Sequence, residues 1–406
     1  MKPTTKVIVI GGGYAGVMAA NRLTRRDDLT VTLVNTQPVF VERIRLHQLV
    51  ARTGTAAVNY SEVLAPAVRL VVAEARTIDA SAQTVTLSTG DTVGYDYLIY
   101  AVGSTGAAPG NTHAIATLAD AARLRDLLPP AAVGQPGRVH RPAGPVDDSA
   151  GTVTVVGAGP TGIETAAELA EQGHTVTLIG ELGPYLHPRG RGKVAATLDR
   201  LGVRRIDARV TSTGPGVVHL DDGRALPSPL TVWAAGFRVP DLAVRSGLKT
   251  DPDGRLLTDE TLTSVSSPRI VAAGDAACPS GRPLRMSCQA AGPLGLHAAD
   301  TVLARVAGHT PRPFVAGFLG QCVSLGRRAG IFQFARRNDV AVGAHITGRV
   351  GATVKEFVCR STVWQLSTAA RRPGLFRIPS FIGDPTRPGP AAPSPPPLRI
   401  HGSQPK

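Results

Sequence analysis

Two glycine-rich turns of the same construction constrain the fold of this chain more than any other feature. Residues 11–16 and residues 157–162 both read G-x-G-x-x-G. Each turn follows a strand-like apolar run, opens an alanine-rich helical stretch, and is followed about 20 residues later by a second strand. Such a turn lets the backbone approach a pyrophosphate, and the helix N-terminus behind it favours the anion. The sequence therefore predicts two β-α-β units that each bind a dinucleotide.

The spacing of apolar residues extends this pattern along the chain. The elements predicted for the two units are strand 6–10, helix 15–25, strand 29–34, strand 152–156, helix 162–171 and strand 175–179. Further predicted elements are strands 67–72, 84–87, 95–102, 231–235 and 270–273, a helix 288–307, and short strands and turns over 317–364. Strands that alternate with helices in this way are typical of an α/β fold.

Charge and aromatic content bear on the partners of the chain. The net charge of +14 is carried mainly by arginine, in pairs such as Arg25-Arg26 and Arg336-Arg337 that are scattered along the sequence. A basic chain can attract nucleic acids or anionic membranes. Only 4% of the residues are aromatic, which leaves little surface for stacking bases. The sequence therefore indicates a solvated basic surface and no nucleic-acid partner.

Neither a targeting segment nor a disulfide framework is expected. No run approaches the roughly 18 apolar residues of a membrane span, and a first strand at Lys6 leaves no room for a signal peptide. The four cysteines, Cys278, Cys288, Cys322 and Cys359, are widely spaced and suit packing as free thiols. These features predict a cytoplasmic protein without a metal site.

The order of five motifs carries a family resemblance. Between and after the glycine turns stand Tyr-Leu-Ile-Tyr-Ala-Val-Gly at 97–103, Val-Trp-Ala-Ala-Gly at 232–236 and Ile-Val-Ala-Ala-Gly-Asp at 270–275. Over residues 5 to 310 the chain resembles the two-dinucleotide-binding flavoprotein superfamily of pyridine nucleotide oxidoreductases. It looks most like the branch of type II NADH dehydrogenases and apoptosis-inducing-factor-like proteins. The resemblance implies two Rossmann-like, glutathione-reductase-like domains and a small C-terminal α+β domain.

The resemblance also implies a domain order. It divides the chain into an FAD-binding domain at 1–128 and 253–316, an NAD(P)H-binding domain at 151–252, and a C-terminal domain at 317–370. Residues 129–150, rich in Pro, Gly and Ala, are interpreted as a linker or disordered insertion, and residues 371–406 as a proline-rich basic tail.

Binding residues follow from the family motifs, with FAD at the first turn and NADH or NADPH at the second. The residues implied for FAD are Gly11, Gly13, Tyr14, Ala15, Gly16, Asn35, Arg43, Ala101, Gly103, Gly274, Asp275, Gln289 and Ala290. The residues implied for the nicotinamide dinucleotide are Gly157, Gly159, Thr161, Gly162, Glu164, Gly180, Glu181 and Gly236. Asp275 is expected to accept a hydrogen bond from the ribityl chain.

Two departures from the family pattern concern the riboses. Asn35 stands where relatives place an acid for the adenosine ribose, and it can still hydrogen-bond a hydroxyl. Gly180 stands at the corresponding position of the second unit, with Glu181 one residue beyond. An acid selects against a 2′-phosphate, whereas a glycine near Arg189 and Arg191 admits one. NADH and NADPH therefore both stay open, and Glu181 favours NADH.

Two motifs of the superfamily are absent from this sequence, which reduces the number of reactions expected of the flavin. Residues 1–277 contain no cysteine, so both family placements of a redox-active cysteine pair are missing. There is also no F-x-G-x-x-x-H segment, which flavin monooxygenases of this superfamily carry between their glycine motifs. Electrons are therefore expected to leave the reduced flavin directly for a diffusible acceptor or a partner protein.

Three residues are the catalytic candidates that the resemblance implies. Glu164 falls where relatives place an acid beside the nicotinamide, and its alternative is an exposed first-turn glutamate that suits the helix dipole. Gln289 falls where type II dehydrogenases face the quinone, and its alternative is ordinary helix-start polarity. His47, in a stretch that passes the flavin ring in relatives, can donate to the ring or relay a proton.

These expectations converge on an FAD-dependent NAD(P)H:acceptor oxidoreductase that reduces a quinone-like or other small molecule without a redox disulfide. One alternative is a flavin reductase for a ferredoxin-like partner or a tailoring flavoenzyme of specialised metabolism. Another is an NADH-sensing, apoptosis-inducing-factor-like binding protein. Residues 363–406 lack the amphipathic stripe of type II dehydrogenases, so at most peripheral membrane contact is expected. A homodimer stays open.

Overall fold

Two parallel five-stranded sheets and one antiparallel three-stranded sheet organise the protein in a computed structural model that describes residues 4–128, 152–315, 317–377 and 383–384. In hydrogen-bonded order, the first sheet contains Ile270–Ala272, Tyr97–Tyr100, Thr5–Ile10, Leu29–Asn35 and Arg69–Val72. The second contains His113–Ala114, Leu230–Trp233, Thr152–Val156, Thr175–Ile179 and Arg204–Ile206. The third contains Gly320–Ser324, Gly330–Ala335 and Ala341–Thr347.

The helices of the described residues are named in chain order. They are α1 (Tyr14–Leu23), α2 (Leu46–Val50), α3 (Tyr60–Val63), α4 (Leu118–Leu127), α5 (Pro160–Glu171), α6 (Pro188–Arg200), α7 (Leu242–Arg245), α8 (Cys288–Val306) and α9 (Gly348–Arg371). Arg43–Arg45 and Gly274–Ala276 form 3-10 turns. None of the helices in these described segments has the length and hydropathy that a membrane crossing requires.

Smaller sheets complete the described structure. Two antiparallel three-stranded sheets are Ala75–Asp79 with Thr84–Leu87 and Thr92–Gly94, and Val210–Gly214 with Val217–Leu220 and Ala225–Pro227. Three strand pairs are Val39–Val41 with Ala57–Asn59, Thr105–Gly106 with Phe237–Arg238, and Leu256–Thr258 with Ala277–Pro279.

The first sheet is assembled from distant parts of the chain. Its central strand, Thr5–Ile10, pairs in parallel with Leu29–Asn35 on one side and Tyr97–Tyr100 on the other. Apolar side chains on both faces are buried, as expected for a parallel sheet covered by helices. Helix α8 crosses α1 so closely that a Cβ at Gly295 would lie 2.2 Å from the carbonyl oxygen of Ala15. Glycine at 295 therefore permits this helix contact.

The second sheet repeats the first within the same chain. Thr152–Val156 lies between Thr175–Ile179 and Leu230–Trp233, all parallel, and α5 packs against this layer. The short strand His113–Ala114 pairs with Leu230–Trp233, so a segment before residue 128 adds the edge strand. The predicted fold class, two Rossmann-like units with a C-terminal α+β part, is confirmed.

The prediction of short strands and turns over 317–364 is wrong for its second half. The last of the three strands ends at Thr347, and α9 then runs as one helix from Gly348 to Arg371. Its buried positions recur with helical spacing: Gly351, Lys355, Cys359, Leu366 and Ala369. This period is hard to see in the sequence because a lysine interrupts the buried face and several β-branched residues have weak helix propensity. Tertiary packing overrides that weak propensity in the fold.

The interpretation of 129–150 as a linker lies outside the described residues, and so does most of the predicted tail from 371. The domain boundaries stay predictions. Elsewhere the predicted strands and helices are found within a few residues of their expected bounds, including α8, whose predicted range was 288–307.

Candidate functional site

The first glycine turn has an open side and a closed side. Gly11 has φ of +102°, and a Cβ there would lie 2.2 Å from the carbonyl oxygen of Ala101. A Cβ at Gly16 would lie 1.8 Å from the carbonyl oxygen of Gly11. Gly13, which is exposed, caps α1 with no atom of the described chain near its Cβ position. The open helix start beside Gly13 fits a pyrophosphate.

The side chains around this turn hold its backbone. The Gly12 N–H donates to Oδ1 of Asn35 (2.9 Å), and the Tyr60 hydroxyl donates to the Gly12 carbonyl (2.9 Å). Tyr14 packs edge-on against Phe40, with ring centroids 5.1 Å apart. Asn35 is therefore a positioning residue for the turn, and its expected contact with a ribose stays a prediction.

Two strand ends of the first sheet bring Asp275 to the same edge. Gly103 and Gly274 both have φ near +70°, and the residues after them meet. The Ser104 hydroxyl donates to Oδ2 of Asp275 at 2.6 Å. Arg43 donates to Oγ of Ser104 at 3.0 Å and lies 3.9 Å from Asp275. The structure thus groups Arg43, Gly103, Gly274 and Asp275, as the sequence predicts for a flavin-binding edge.

Asp275→Asn is expected to weaken FAD binding by roughly tenfold to a hundredfold, because a charge-assisted hydrogen bond contributes about 1.5–3 kcal/mol. Fluorescence titration of the apoprotein with FAD measures this change. Asp253→Asn, at an exposed carboxylate that pairs with Arg255, is the matched control and should leave FAD affinity unchanged. Equal affinity of wild type and Asp275→Asn would contradict the assignment.

The second glycine turn has the same geometry. Gly157 has φ of +102°, and a Cβ at Gly162 would lie 1.7 Å from the Gly157 carbonyl oxygen. Gly159 is open and caps α5, whose first turn contains Thr161. Gly236, φ +70°, ends the neighbouring strand segment. This second open helix start fits another dinucleotide.

The segment after the second strand of this unit, predicted to meet a ribose, carries opposite charges. Gly180 has φ of +131°, and a Cβ there would lie 3.1 Å from the Ala158 nitrogen. The Glu181 side chain is 64% exposed and lies 3.8 Å from Arg191. An acid and its cationic partner thus follow Gly180, the position predicted to meet the ribose.

Glu164 is buried, so the interpretation as an exposed first-turn glutamate is wrong. Its side chain is 8% exposed, and Oε1 lies 2.9 Å from Nζ of Lys355 on α9. The Ser324 N–H donates to the same oxygen at 3.0 Å. The contact therefore joins α5 to both α9 and the strand Gly320–Ser324.

His47 lies behind Glu164 and faces a second buried carboxyl group. Its Nδ1 lies 3.7 Å from Oε2 of Glu164, and its Nε2 lies 3.3 Å from Oε2 of Glu168. Glu168 follows Glu164 by one turn of α5 and is fully buried. Its other oxygen accepts from the Thr53 hydroxyl. We call His47, Glu164, Glu168 and Lys355 the buried charge cluster.

Burial and ion pairing act on this cluster in opposite directions. Burial lowers the pKa of His47 to about 4 and raises the pKa of Glu168 to about 7. Burial also acts to raise the pKa of Glu164, but Lys355, His47 and the Ser324 N–H outweigh it and lower that pKa. At neutral pH the cluster therefore holds a carboxylate–ammonium pair, a neutral imidazole and a carboxyl group close to its titration point.

Gln289 stands at the start of α8, where the sequence places it. The Ser287 hydroxyl caps this helix by accepting from the N–H of Ala290 at 3.3 Å. In the amide orientation that satisfies both its atoms, Gln289 donates to the Gly320 carbonyl and accepts from the Leu319 N–H. These contacts tie α8 to the third sheet, and a contact with an acceptor stays a prediction.

Sequence reasoning missed three members of the site: Ser104, Glu168 and Lys355. Glu168 carries a detectable signal, since it follows Glu164 by four residues and shares its helix face. Lys355 carries no such signal, because it is 191 residues from Glu164 in sequence and meets it only through the packing of α9.

Comparisons with known proteins agree with this geometry. The profile of the pyridine nucleotide-disulphide oxidoreductase family matches residues 5–295. An NADH dehydrogenase-like protein of Mycobacterium tuberculosis is 33% identical over 324 residues, covering 74% of this chain and 80% of the relative. The type II NADH:quinone oxidoreductase Ndh of that organism is 28% identical over 353 residues, covering 75% and 74%. NDH2 from Plasmodium falciparum in complex with NADH shares the fold, with a TM-score of 0.72 at 16% identity, covering 91% and 99%.

Proposed function

The chain belongs to the pyridine nucleotide-disulphide oxidoreductase family, and we propose that this NAD(P)H-dependent flavoprotein oxidoreductase uses FAD to pass electrons to a quinone-like acceptor. One observation carries the proposal: two glycine turns leave open helix starts at Gly13 and Gly159, and α5, the helix of the second turn, holds Glu164 in a buried ion pair with Lys355. The names of the M. tuberculosis relatives support NADH as a donor and a quinone as an acceptor.

The residues of this chain supply position and electrostatics. FAD, when bound, accepts a hydride from NAD(P)H and returns the electrons to an acceptor. Gly13 and Gly159 leave the two pyrophosphate sites open, and Asp275 offers a carboxylate to the ribityl chain. The Lys355 ammonium places a positive charge in a buried site, where it favours negative charge that develops during transfer. Hydride transfer depends on stacking geometry, so no acid or base is needed for that step.

The cysteines support a reaction without a redox disulfide. Cys288, Cys322 and Cys359 all have raised pKa values, chiefly because burial disfavours the thiolate, and the pKa of Cys359 rises to about 11. Thiol–disulfide exchange requires a thiolate. At neutral pH these thiols are therefore poor nucleophiles, and electrons are expected to leave the flavin directly.

Anaerobic stopped-flow spectroscopy tests the proposal. The protein reconstituted with FAD is reduced with NADH or NADPH and then mixed with menadione, ferredoxin or cytochrome c. Reduction by a nicotinamide and fast reoxidation by menadione are expected. A purified protein that takes up no FAD, or a reduced protein that menadione does not reoxidise, would contradict the proposal; faster reoxidation by ferredoxin would favour a protein partner.

Glu181 and Arg191 are expected to set the choice of donor. Glu181→Ala should raise the ratio of kcat/KM for NADPH to that for NADH by roughly fivefold, and Arg191→Ala should lower it by a similar factor. This fivefold change in the ratio corresponds to about 1 kcal/mol, the contribution of a partly exposed charge that faces a 2′-phosphate. Steady-state kinetics with both donors measure the ratio, and Arg200→Ala, at the far end of α6, is the control. Unchanged ratios would place the ribose elsewhere.

A further inference from the structure

A line of polar side chains leads from the protein surface into the buried charge cluster. Thr53 is partly exposed, and its hydroxyl donates to Oε1 of Glu168. Arg327, 37% exposed, lies 3.8 Å from the same oxygen. The other oxygen of Glu168 faces His47, whose second nitrogen faces Glu164. The line therefore connects solvent to the Glu164–Lys355 pair in three steps.

Where Glu168 faces His47, one buried atom of each side chain has no hydrogen-bond partner among the described residues. Oε2 of Glu168 and Nε2 of His47 are 3.3 Å apart, both are fully buried, and neither has a hydrogen-bond partner within the parts of the chain that the structure describes. A buried polar atom without a partner costs about 1–3 kcal/mol. A proton on Glu168 satisfies both atoms at once, because the carboxyl group then donates to the neutral imidazole.

The charges around this link agree with a shared, mobile proton. Glu168 is faced by Thr53 and His47 from the α2 segment, by Arg327 from the turn after Gly320–Ser324, and by Glu164 and Glu171 on its own helix. His47 is faced by Glu164, Lys355, Arg327 and Arg45. Burial is the main reason that the charged forms of His47 and Glu168 are disfavoured. The cations add to this effect at His47, where Glu164 opposes it, and the two carboxylates add to it at Glu168, where Thr53 and Arg327 oppose it. Both groups therefore stay close to neutral while the outer oxygen of Glu168 remains within reach of the surface.

We propose that Glu168 takes up a proton from solvent and passes it through His47 and Glu164–Lys355 to the acceptor. This inference rests on the proposed quinone reduction. The balance is NAD(P)H + H⁺ + quinone giving NAD(P)⁺ + hydroquinone: two electrons and one proton arrive as the hydride, and the second proton must come from water. On each transfer the O–H bond of Glu168 breaks as an N–H bond forms at Nε2 of His47, and the N–H bond at Nδ1 breaks as Oε2 of Glu164 takes that proton. The new O–H bond of Glu164 then breaks as an O–H bond of the hydroquinone forms. Solvent reprotonates Glu168, and the imidazole regains its proton on Nδ1 before the next turnover.

Glu168→Gln separates this role from a structural one, because it keeps the side-chain shape and can still donate to His47 but cannot release a proton. Glu171→Gln is the matched control, at a carboxylate on the same helix that accepts from the backbone N–H of Arg327 and is not one of the side chains through which the proton would pass. Single-turnover rates are measured for reduction by NADH, which takes no proton from water, and for reoxidation by menadione, which consumes one.

Reduction by NADH is expected to stay within about twofold in both variants. Reoxidation by menadione is expected to slow roughly a hundredfold in Glu168→Gln, within the range of general acid catalysis. The wild-type reoxidation rate should fall as pH rises through about 7, since Glu168 then loses its proton. Glu168→Gln should lack this inflection, and Glu171→Gln should keep it at a lower pH, because one carboxylate that raises the pKa of Glu168 is lost.

Stability against denaturant gives a second measurement that needs no cofactor. Since the pKa of Glu168 in the folded protein is raised, its protonated form stabilises the fold at low pH, and that contribution falls as pH rises from about 4.5 to about 7. The unfolding midpoint of Glu168→Gln should therefore gain on the wild type between pH 5 and pH 8, and that of Glu171→Gln should not.

Four results would overturn the inference. Equal slowing of both half-reactions in Glu168→Gln, or a pH inflection that survives the substitution, assigns Glu168 a structural role while the proposed function stands. An unfolding midpoint whose offset from wild type does not change with pH shows that Glu168 does not titrate near neutrality. No reoxidation of the wild type by menadione overturns the proposed function and this inference together.

Discussion

Gly16→Ala is expected to yield a protein that binds no FAD and loses most of its stability. A Cβ at this position would lie 1.8 Å from the Gly11 carbonyl oxygen and 3.4 Å from Val9. The first obstacle is backbone, so no side-chain rotation relieves it, and α1 must move away from the first sheet. The cost should exceed the roughly 1–3 kcal/mol of ordinary overpacking. Thermal unfolding and flavin absorbance after reconstitution measure the two effects.

Substitutions at two other glycines serve as controls, one expected to stabilise the protein and the other expected to affect only FAD binding. Gly192→Ala lies within α6 with open space at its Cβ position, and it should stabilise the protein by about 0.5–1 kcal/mol. Gly13→Ala also meets no atom of the described protein, so it should keep the apoprotein folded. Its methyl group would stand at the proposed pyrophosphate site and should lower FAD affinity. If Gly13→Ala binds FAD as the wild type does, the pyrophosphate does not lie there.

Lys355→Met is expected to destabilise the protein by about 3–5 kcal/mol, because it leaves the Glu164 carboxylate buried without its cation. Nζ of Lys355 lies 2.9 Å from Oε1, and both side chains are about nine-tenths buried. Turnover should fall as well, since the positive charge proposed to favour electron transfer is lost. Chemical denaturation of the purified variant and steady-state kinetics with menadione measure these changes.

The double variant Glu164→Gln, Lys355→Met distinguishes charge pairing from packing. Once both charges are gone, the Ser324 N–H still finds an amide oxygen, and most of the lost stability should return. Activity should not return, because the charge is still absent. A double variant as unstable as Lys355→Met would mean that the lysine stem, and not the ion pair, stabilises this region.

The fold could be predicted from the sequence because local and global signals agree in the two glycine units. Each has a strand, a turn with forced positive φ and an alanine-rich helix, and the observed bounds follow closely. The expected family and its type II NADH dehydrogenase branch are confirmed by the profile match and the relatives. The acceptor, the preferred nicotinamide and the roles of single residues stay predictions.

The centre of the site could be predicted only in part. Glu164 and His47 are visible because they stand at family positions, but their burial is not. The pairing of Glu164 with Lys355 depends on where α9 packs. The helical pattern of α9 is obscured in the sequence by its β-branched residues and its buried lysine. Such long-range contacts leave no periodic trace in the sequence. Reasoning from motifs therefore finds the two glycine turns and misses the buried ion pair.

The nested order of the sheets has a consequence for synthesis on the ribosome. The second sheet is complete once residue 233 has emerged, whereas the first sheet waits for its edge strand at Ile270–Ala272. The helix that contains Glu164 is therefore made well before Ser324 and Lys355, the two residues that contact its carboxylate. Until then, water or a protonated carboxyl group must stand in for that lysine. A nascent chain halted before residue 355 should hold both glycine turns and a Glu164 side chain without its cation.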